Sequence, residues 1–197
     1  YYSFDGWYLD KNFNTPVASI SDTNMGDVKL YAKWTQTHFA LNFDANGGVD
    51  GTKTSVMVPK GDKISDYLTS AVDEVPTKDN SVFSGWVRAD GNELTDSDVM
   101  TEKGFTVYAK WEASKYKLSF DLNGGTGDIS DIDVAYGDKI SDNLTTVIPT
   151  KTGYTFVGWV KTGEADLTDT DVMTENGFTV YAKWKIGKYK LIFDLNG

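Results

Sequence analysis

Gly-Phe-Thr-Val-Tyr-Ala-Lys-Trp occupies residues 104–111, and the same eight residues return at 177–184. A shorter copy, Lys-Leu-Tyr-Ala-Lys-Trp, closes at Trp34. The closing tryptophans Trp34, Trp111 and Trp184 stand about 75 residues apart. Self-similarity at a fixed period marks an array of units, and it has to be read before any fold is chosen. Within the copies apolar and polar residues alternate, with Val28, Leu30, Ala32 and Trp34 on one side. Period two of this kind predicts a half-buried strand.

Working outward, each copy is preceded by the same order of signals. Phe39, Leu41 and Phe43 alternate with polar neighbours, as do Tyr116, Leu118, Phe120 and Leu122. Asn46-Gly47 and Asn123-Gly124 follow, and Asn-Gly after such a run is a strong turn signal because both residues tolerate positive φ. Residues 54–59 read as the returning strand. Ile64, Leu68 and Ala71 or Val72 have helical spacing, with Asp62 or Ser65 as cap and Pro76 as stop. A third strand carries Gly85-Trp86, matched by Gly6-Trp7 and Gly158-Trp159. Residues 94–101 read as a short connector with room for one helical turn.

Strand, hairpin, strand, helix, strand, connector, strand is an α+β order. It predicts tandem small β-grasp (ubiquitin-like) repeats, each a mixed sheet with one helix on one face. The expected boundaries are 1–34, the C-terminal part of a repeat; 35–111 and 112–184, complete repeats; and 185–197, the first strand of a further repeat. Insertions between copies fall in the hairpin and after the helix, where loops absorb them. Beginning and stopping inside repeats, the chain reads as an excerpt of a longer protein.

The formal net charge of −10 argues against nucleic acid and against anionic membrane surfaces. With no cysteine there is no disulfide, thiolate metal site or cysteine nucleophile. No apolar run approaches the ~18 residues of a membrane span. A unit of this size has a marginal core, so neighbouring repeats and a dense aromatic core are expected to help. Aromatics make up 14% of the chain, enough to supply such a core.

Phe-Asp-(Ala/Leu)-Asn-Gly-Gly, then Gly-Tyr-x-Phe-x-Gly-Trp at 153–159, then Tyr-Ala-Lys-Trp resembles the internalin B-type repeat, also called the Listeria–Bacteroides repeat. The likeness covers essentially the whole chain. It implies a β-grasp unit found in tandem on bacterial surface proteins, often adhesins or internalins, with no enzymatic activity. Repeat two departs from the pattern, with Asn80-Ser81-Val82-Phe83 in place of Gly-Tyr-x-Phe.

No catalytic residue, cofactor or metal set is assigned. His38 is the single histidine and has no thiol or second base to work with. Asp96 with Asp98, and Asp169 with Asp171, are too few ligands for calcium without a full loop. Trp34, Trp111 and Trp184 read as core or inter-repeat packing. Trp7, Trp86 and Trp159 alternate away from Phe4, Phe83 and Phe156 and are expected to be the more exposed set. The candidate partner contacts are therefore Trp7, Trp86, Trp159, Tyr31, Tyr108 and Tyr181. The expected function is a non-catalytic, semi-rigid spacer in an extracellular, cell-surface, adhesin-like protein, its partners the neighbouring repeats. The alternative is direct low-affinity binding of a host protein or glycan, multiplied by avidity.

Overall fold

Strands form where branched and aromatic residues alternate with polar ones, and the described residues hold eleven such segments. A computed structural model gives the fold and describes residues 1–20, 26–68, 74–188 and 193–194. It divides into two units, Tyr1–Glu112 and Ala113–Gly197.

In the first unit β1 (Tyr2–Tyr8), β2 (Pro16–Val17) and β3 (Tyr31–Gln36) make a three-stranded sheet of order β2-β1-β3. Then β4 (His38–Asp44), β5 (Ser55–Pro59), β6 (Ser81–Val87) and β7 (Phe105–Ala113) make a four-stranded sheet of order β5-β4-β7-β6. Here β4 pairs antiparallel with β5 and parallel with β7. The second unit repeats this with β8 (Lys115–Asp121), β9 (Ile132–Ala135), β10 (Tyr154–Val160) and β11 (Phe178–Ile186), in the order β10-β11-β8-β9. One face of each sheet carries the core. Phe39, Leu41, Phe43, Val58, Ile64, Trp86, Met100, Val107 and Ala109 form one cluster. Leu118, Phe120, Val134, Ile140, Trp159, Met173, Val180 and Ala182 form its counterpart.

The expected α+β class, with a helix on each β-grasp repeat, is overturned. The described residues form an all-β structure of curled mixed sheets, and their helical content is three single 3-10 turns: Ile64–Tyr67, Ser141–Asn143 and Thr162–Glu164. Ala71 and Val72, part of the expected helix, lie outside the described residues. The complete repeat at 112–184 is described throughout and settles the matter. There the chain is already extended at Leu144, with φ −69° and ψ 143°. Thr145, Thr146, Val147 and Ile148 follow and Pro149 ends the segment. β-Branched residues are poor helix formers, and one turn cannot recover the cost of helix nucleation. The N–H groups that lead into the segment are bonded to the connector. Ile140 donates to Asp171 O at 2.9 Å, and Gly137 donates to Met173 O at 3.0 Å. The apolar positions still serve the core, since Ile64 and Ile140 are fully buried and Leu68 and Leu144 pack against the clusters.

The connector at 94–101 makes a single turn, with Asp98 N donating to Thr95 O at 2.9 Å, and is bonded back to the segment that follows the second strand. Met100 N donates to Asp62 O at 2.8 Å, and Met173 N to Asp138 O at 2.9 Å. These bonds seat Met100 and Met173 in the two cores at 1% and 0% exposure. The Asn-Gly turns take the positive φ expected of them: Asn46 48°, Gly47 81°, Asn123 49° and Gly124 76°. They do not close the hairpin directly, however. Each leads into a bridge with the segment before the third strand, Val49 to Thr77 and Thr126 to Thr150.

Candidate partner-contact surfaces

The Gly-Trp pairs owe their position to a β-bulge. Along β10 and β11, Phe156 faces Trp184 and Gly158 faces Lys183, leaving Val157 as the extra residue. Phe4, Gly6 and the intervening Asp5 show the same shift in β1. A bulge inserts one residue and so reverses the side-chain alternation beyond it. Phe156 and Trp159 therefore share a face, with ring centroids 5.4 Å apart. Gly85 and Gly158 sit at φ of 136° and 155°, which is why glycine precedes the tryptophan.

This corrects the expectation that Trp7, Trp86 and Trp159 are the more exposed tryptophans. Trp86 is 6% and Trp159 9% exposed, and each stacks on the first strand through Phe43 or Phe120. Plain alternation without the bulge assigned them to the wrong face. Trp7 is 47% exposed. Trp111 and Trp184 are half-buried against the cores, while Trp34 is exposed beside Phe4.

Tyr31, Tyr108 and Tyr181 are half-buried. Tyr181 pairs with Val160, one register step from the Trp159–Ala182 pair, so it lies on the face opposite Trp159. Trp159 and Tyr181 consequently share no patch within their repeat. Tyr108, with Arg88 and Phe105, lines a shallow depression of about 500 Å³. Tyr181, with Lys161 and Phe178, lines its counterpart of about 510 Å³.

The cation of each depression is tied to the connector. Lys161 Nζ donates to Asp171 Oδ1 and Oδ2 at 3.0 and 2.9 Å, and Arg88 Nε lies 3.6 Å from Asp98 Oδ2. Asp171 also accepts the Thr168 N–H and hydroxyl at 2.7 and 2.8 Å. The Lys161 ammonium first, and then Thr168, hold the Asp171 carboxyl below the usual carboxylate range. Asp96 and Asp169 pair with Lys63 and Lys139 at 3.1 and 3.3 Å. All four aspartates considered for calcium thus face a cation of their own chain. Lys110 lies 2.6 Å from Glu93, and that carboxylate raises its pKa.

A second groove was not legible from sequence, because its walls come from distant segments. In the second unit Lys151, Tyr154, Trp184, Thr126, Thr150 and Ile148 line a depression of about 740 Å³. Lys151 Nζ lies 4.9 Å from the Tyr154 ring centroid and 5.8 Å from that of Trp184, and it donates to Asn123 O at 2.8 Å. The Trp184 indole N–H donates to Leu122 O at 3.0 Å. In the first unit Lys78 and Trp111 keep the same arrangement, with Lys78 Nζ 5.9 Å from the Trp111 ring. Ser81 stands in the place of Tyr154, and the groove there is about 340 Å³. The only sequence signal was that departure of repeat two from Gly-Tyr-x-Phe.

The family model described as Listeria-Bacteroides repeat domain matches residues 1–33, 39–110 and 116–183. An Evansella cellulosilytica protein named "Putative membrane protein" is 33% identical over 175 residues, covering 85% of this chain and 24% of its own length. Internalin H of Listeria monocytogenes is 32% identical over 142 residues, covering 69% of this chain and 24% of its own length. The chain thus spans about a quarter of these relatives. No solved structure matches it. Three matched segments in tandem, spanning most of its length, make this chain a member of the Listeria–Bacteroides repeat family.

Proposed function

We propose that the chain is a non-catalytic, semi-rigid spacer within an extracellular bacterial surface protein of the internalin-like kind. The observation that carries this reading is the junction between repeats. β3 ends at Gln36 and β4 begins at His38, so Thr37 alone separates two strands of different sheets. Thr37 N donates to Tyr1 O at 2.9 Å, and Thr37 O accepts from Lys60 N at 2.9 Å. The linking residue is thus bonded to the repeat on each side. Elsewhere Ser114 alone lies between β7 and β8 and accepts from Tyr136 N at 2.8 Å, while Gly187 N donates to Gly153 O at 2.8 Å. Links held in this way have little of the reach of a flexible tether. The family membership and the membrane-protein and internalin names of the relatives support the surface location.

Small-angle scattering tests this on chains of two, three and four whole repeats, with and without calcium. A repeat whose longest strand has nine residues spans about 30 Å at ~3.3 Å per residue. A maximum dimension growing by roughly that amount per added repeat supports the spacer. A dimension that stops growing, or that changes with calcium, refutes it.

A further inference from the structure

We infer that the groove at Tyr154 is a subsite for a neutral, N-acetylated, β-linked glycan. Its size is on the scale of small-ligand sites, and it combines a ring with hydroxyls. Tyr154 is 44% exposed at the groove wall. An equatorially substituted pyranose presents a flat face of C–H bonds, which packs on such a ring and meets its negative quadrupole with weakly positive hydrogens. Beside the ring, Thr126 and Thr150 are exposed, their hydroxyl oxygens 3.1 Å apart across a backbone bridge. Each hydroxyl both donates and accepts, which suits sugar hydroxyls. Ile148 is 69% exposed at the same groove and offers an apolar contact to an acetamido methyl.

Charge narrows the ligand. Lys151 is the groove's lysine, and its ammonium is already turned inward to Asn123 O and the two rings. The chain itself carries −10. Among the described residues that line the groove Lys151 is the only cation, and the chain's net charge opposes a polyanionic glycan, so an uncharged ligand is assigned. Repeat two supplies a built-in contrast. With Ser81 at the place of Tyr154, its groove is less than half the volume and lacks the ring. One complete repeat carries the subsite and the other does not.

This goes beyond the spacer reading and stands or falls apart from it, since scattering reports shape and a titration reports binding. The test titrates the isotope-labelled chain with the N-acetylglucosamine hexamer and follows amide shifts by NMR. Saturable shifts are expected at Thr126, Thr150, Lys151 and Tyr154, with the residues around Ser81 unmoved. Tyr154→Ser should weaken binding at least tenfold, and Ser81→Tyr should create shifts around Lys78 and Thr77. The second variant keeps the test decisive should the first disturb folding. No saturable shift up to 10 mM hexamer, which is about the weak limit of specific affinity, overturns the proposal. So does binding indifferent to both substitutions. Equal binding of cellohexaose overturns the acetamido assignment, and tighter binding of strands bearing lactyl carboxylates overturns the neutral one.

Discussion

Replacing Gly125 with alanine probes how each repeat closes its aromatic layer. No positive φ is involved at Gly125; the constraint is space. A Cβ there would come 2.4 Å from Cζ2 of Trp184, 2.9 Å from Thr150 O and 3.0 Å from Leu122 O. The backbone oxygens cannot retreat, so the indole must. It is held by the 3.0 Å bond to Leu122 O and by packing on Phe156, 5.7 Å between centroids. Overpacking of this kind costs about 1–3 kcal/mol, and losing the indole hydrogen bond about 1 more. The expected loss is therefore ~2–4 kcal/mol, a large share of the ~5–15 kcal/mol that stabilises a small domain. Urea denaturation followed by circular dichroism reads it as a midpoint lowered by roughly 1–2 M at an m-value of about 2 kcal/mol/M. Gly127→Ala is the matched control, because its Cβ would meet Pro149 at an ordinary 3.4 and 3.5 Å. It should leave the midpoint unchanged or raise it, through a less flexible unfolded chain, by up to ~1 kcal/mol. Equal stability of Gly125→Ala and the unaltered chain, or an equal loss for Gly127→Ala, would refute the argument.

Further outcomes follow from the bulge, the burial and the carboxylates. Gly85→Ala should cost about 1–3 kcal/mol through backbone strain alone, because φ is 136° and no atom lies within 4 Å of the added carbon; thermal melting reads it, and an unchanged Tm would sink it. Trp159→Ala should lose about 3–5 kcal/mol as a core truncation, whereas Trp7→Ala, with half its surface already in water, should lose about half as much or less. Comparable losses in urea titrations would contradict the burial difference. Because the folded Asp171 carboxyl is more acidic than in the unfolded chain, its contribution is present above the unfolded value near pH ~4 and disappears as pH falls through the folded one. Asp171→Asn should thus lower Tm at pH 7, and the gap from the unaltered chain should narrow as the pH falls below the unfolded carboxylate's value and the carboxyl is protonated in both states; a gap that stays constant into acid would count against the Lys161 pairing.

Much of the fold could be read from the residues, and the failures have physical reasons. Alternation at Phe39, Leu41 and Phe43 located a buried face, and Asn46-Gly47 and Asn123-Gly124 located turns, because both signals are local. The helix expected from Ile64 and Leu68 failed because the same spacing also suits a single 3-10 turn, Ile64–Tyr67, that runs directly into extended backbone at Leu68. Nothing local announces that Asp171 O receives the Ile140 N–H. The faces of Trp86 and Trp159 were misread because one bulged residue reverses parity, although Gly85 and Gly158 were in plain view. Met100 and Met173 carried no periodic signal, being seated by single bonds across the chain. The Tyr154 groove was out of reach for a related reason. Its walls come from residues 126, 148–154 and 184, which approach one another only when the sheet and the Thr126–Thr150 bridge have formed.

The one-residue junctions have a consequence for how such a chain folds without error. Copies that share whole octapeptides can exchange strands, and swapping between neighbours is a characteristic failure of tandem arrays. Strand register cannot distinguish the copies, because residues 104–111 and 177–184 are the same peptide. Tethering can. With only Ser114 between β7 and β8, neither strand can travel to a foreign sheet without pulling the other out of its own. The shortness of the link thereby acts as a folding fidelity device, because it ties the placement of each strand to that of the strand which follows it in sequence.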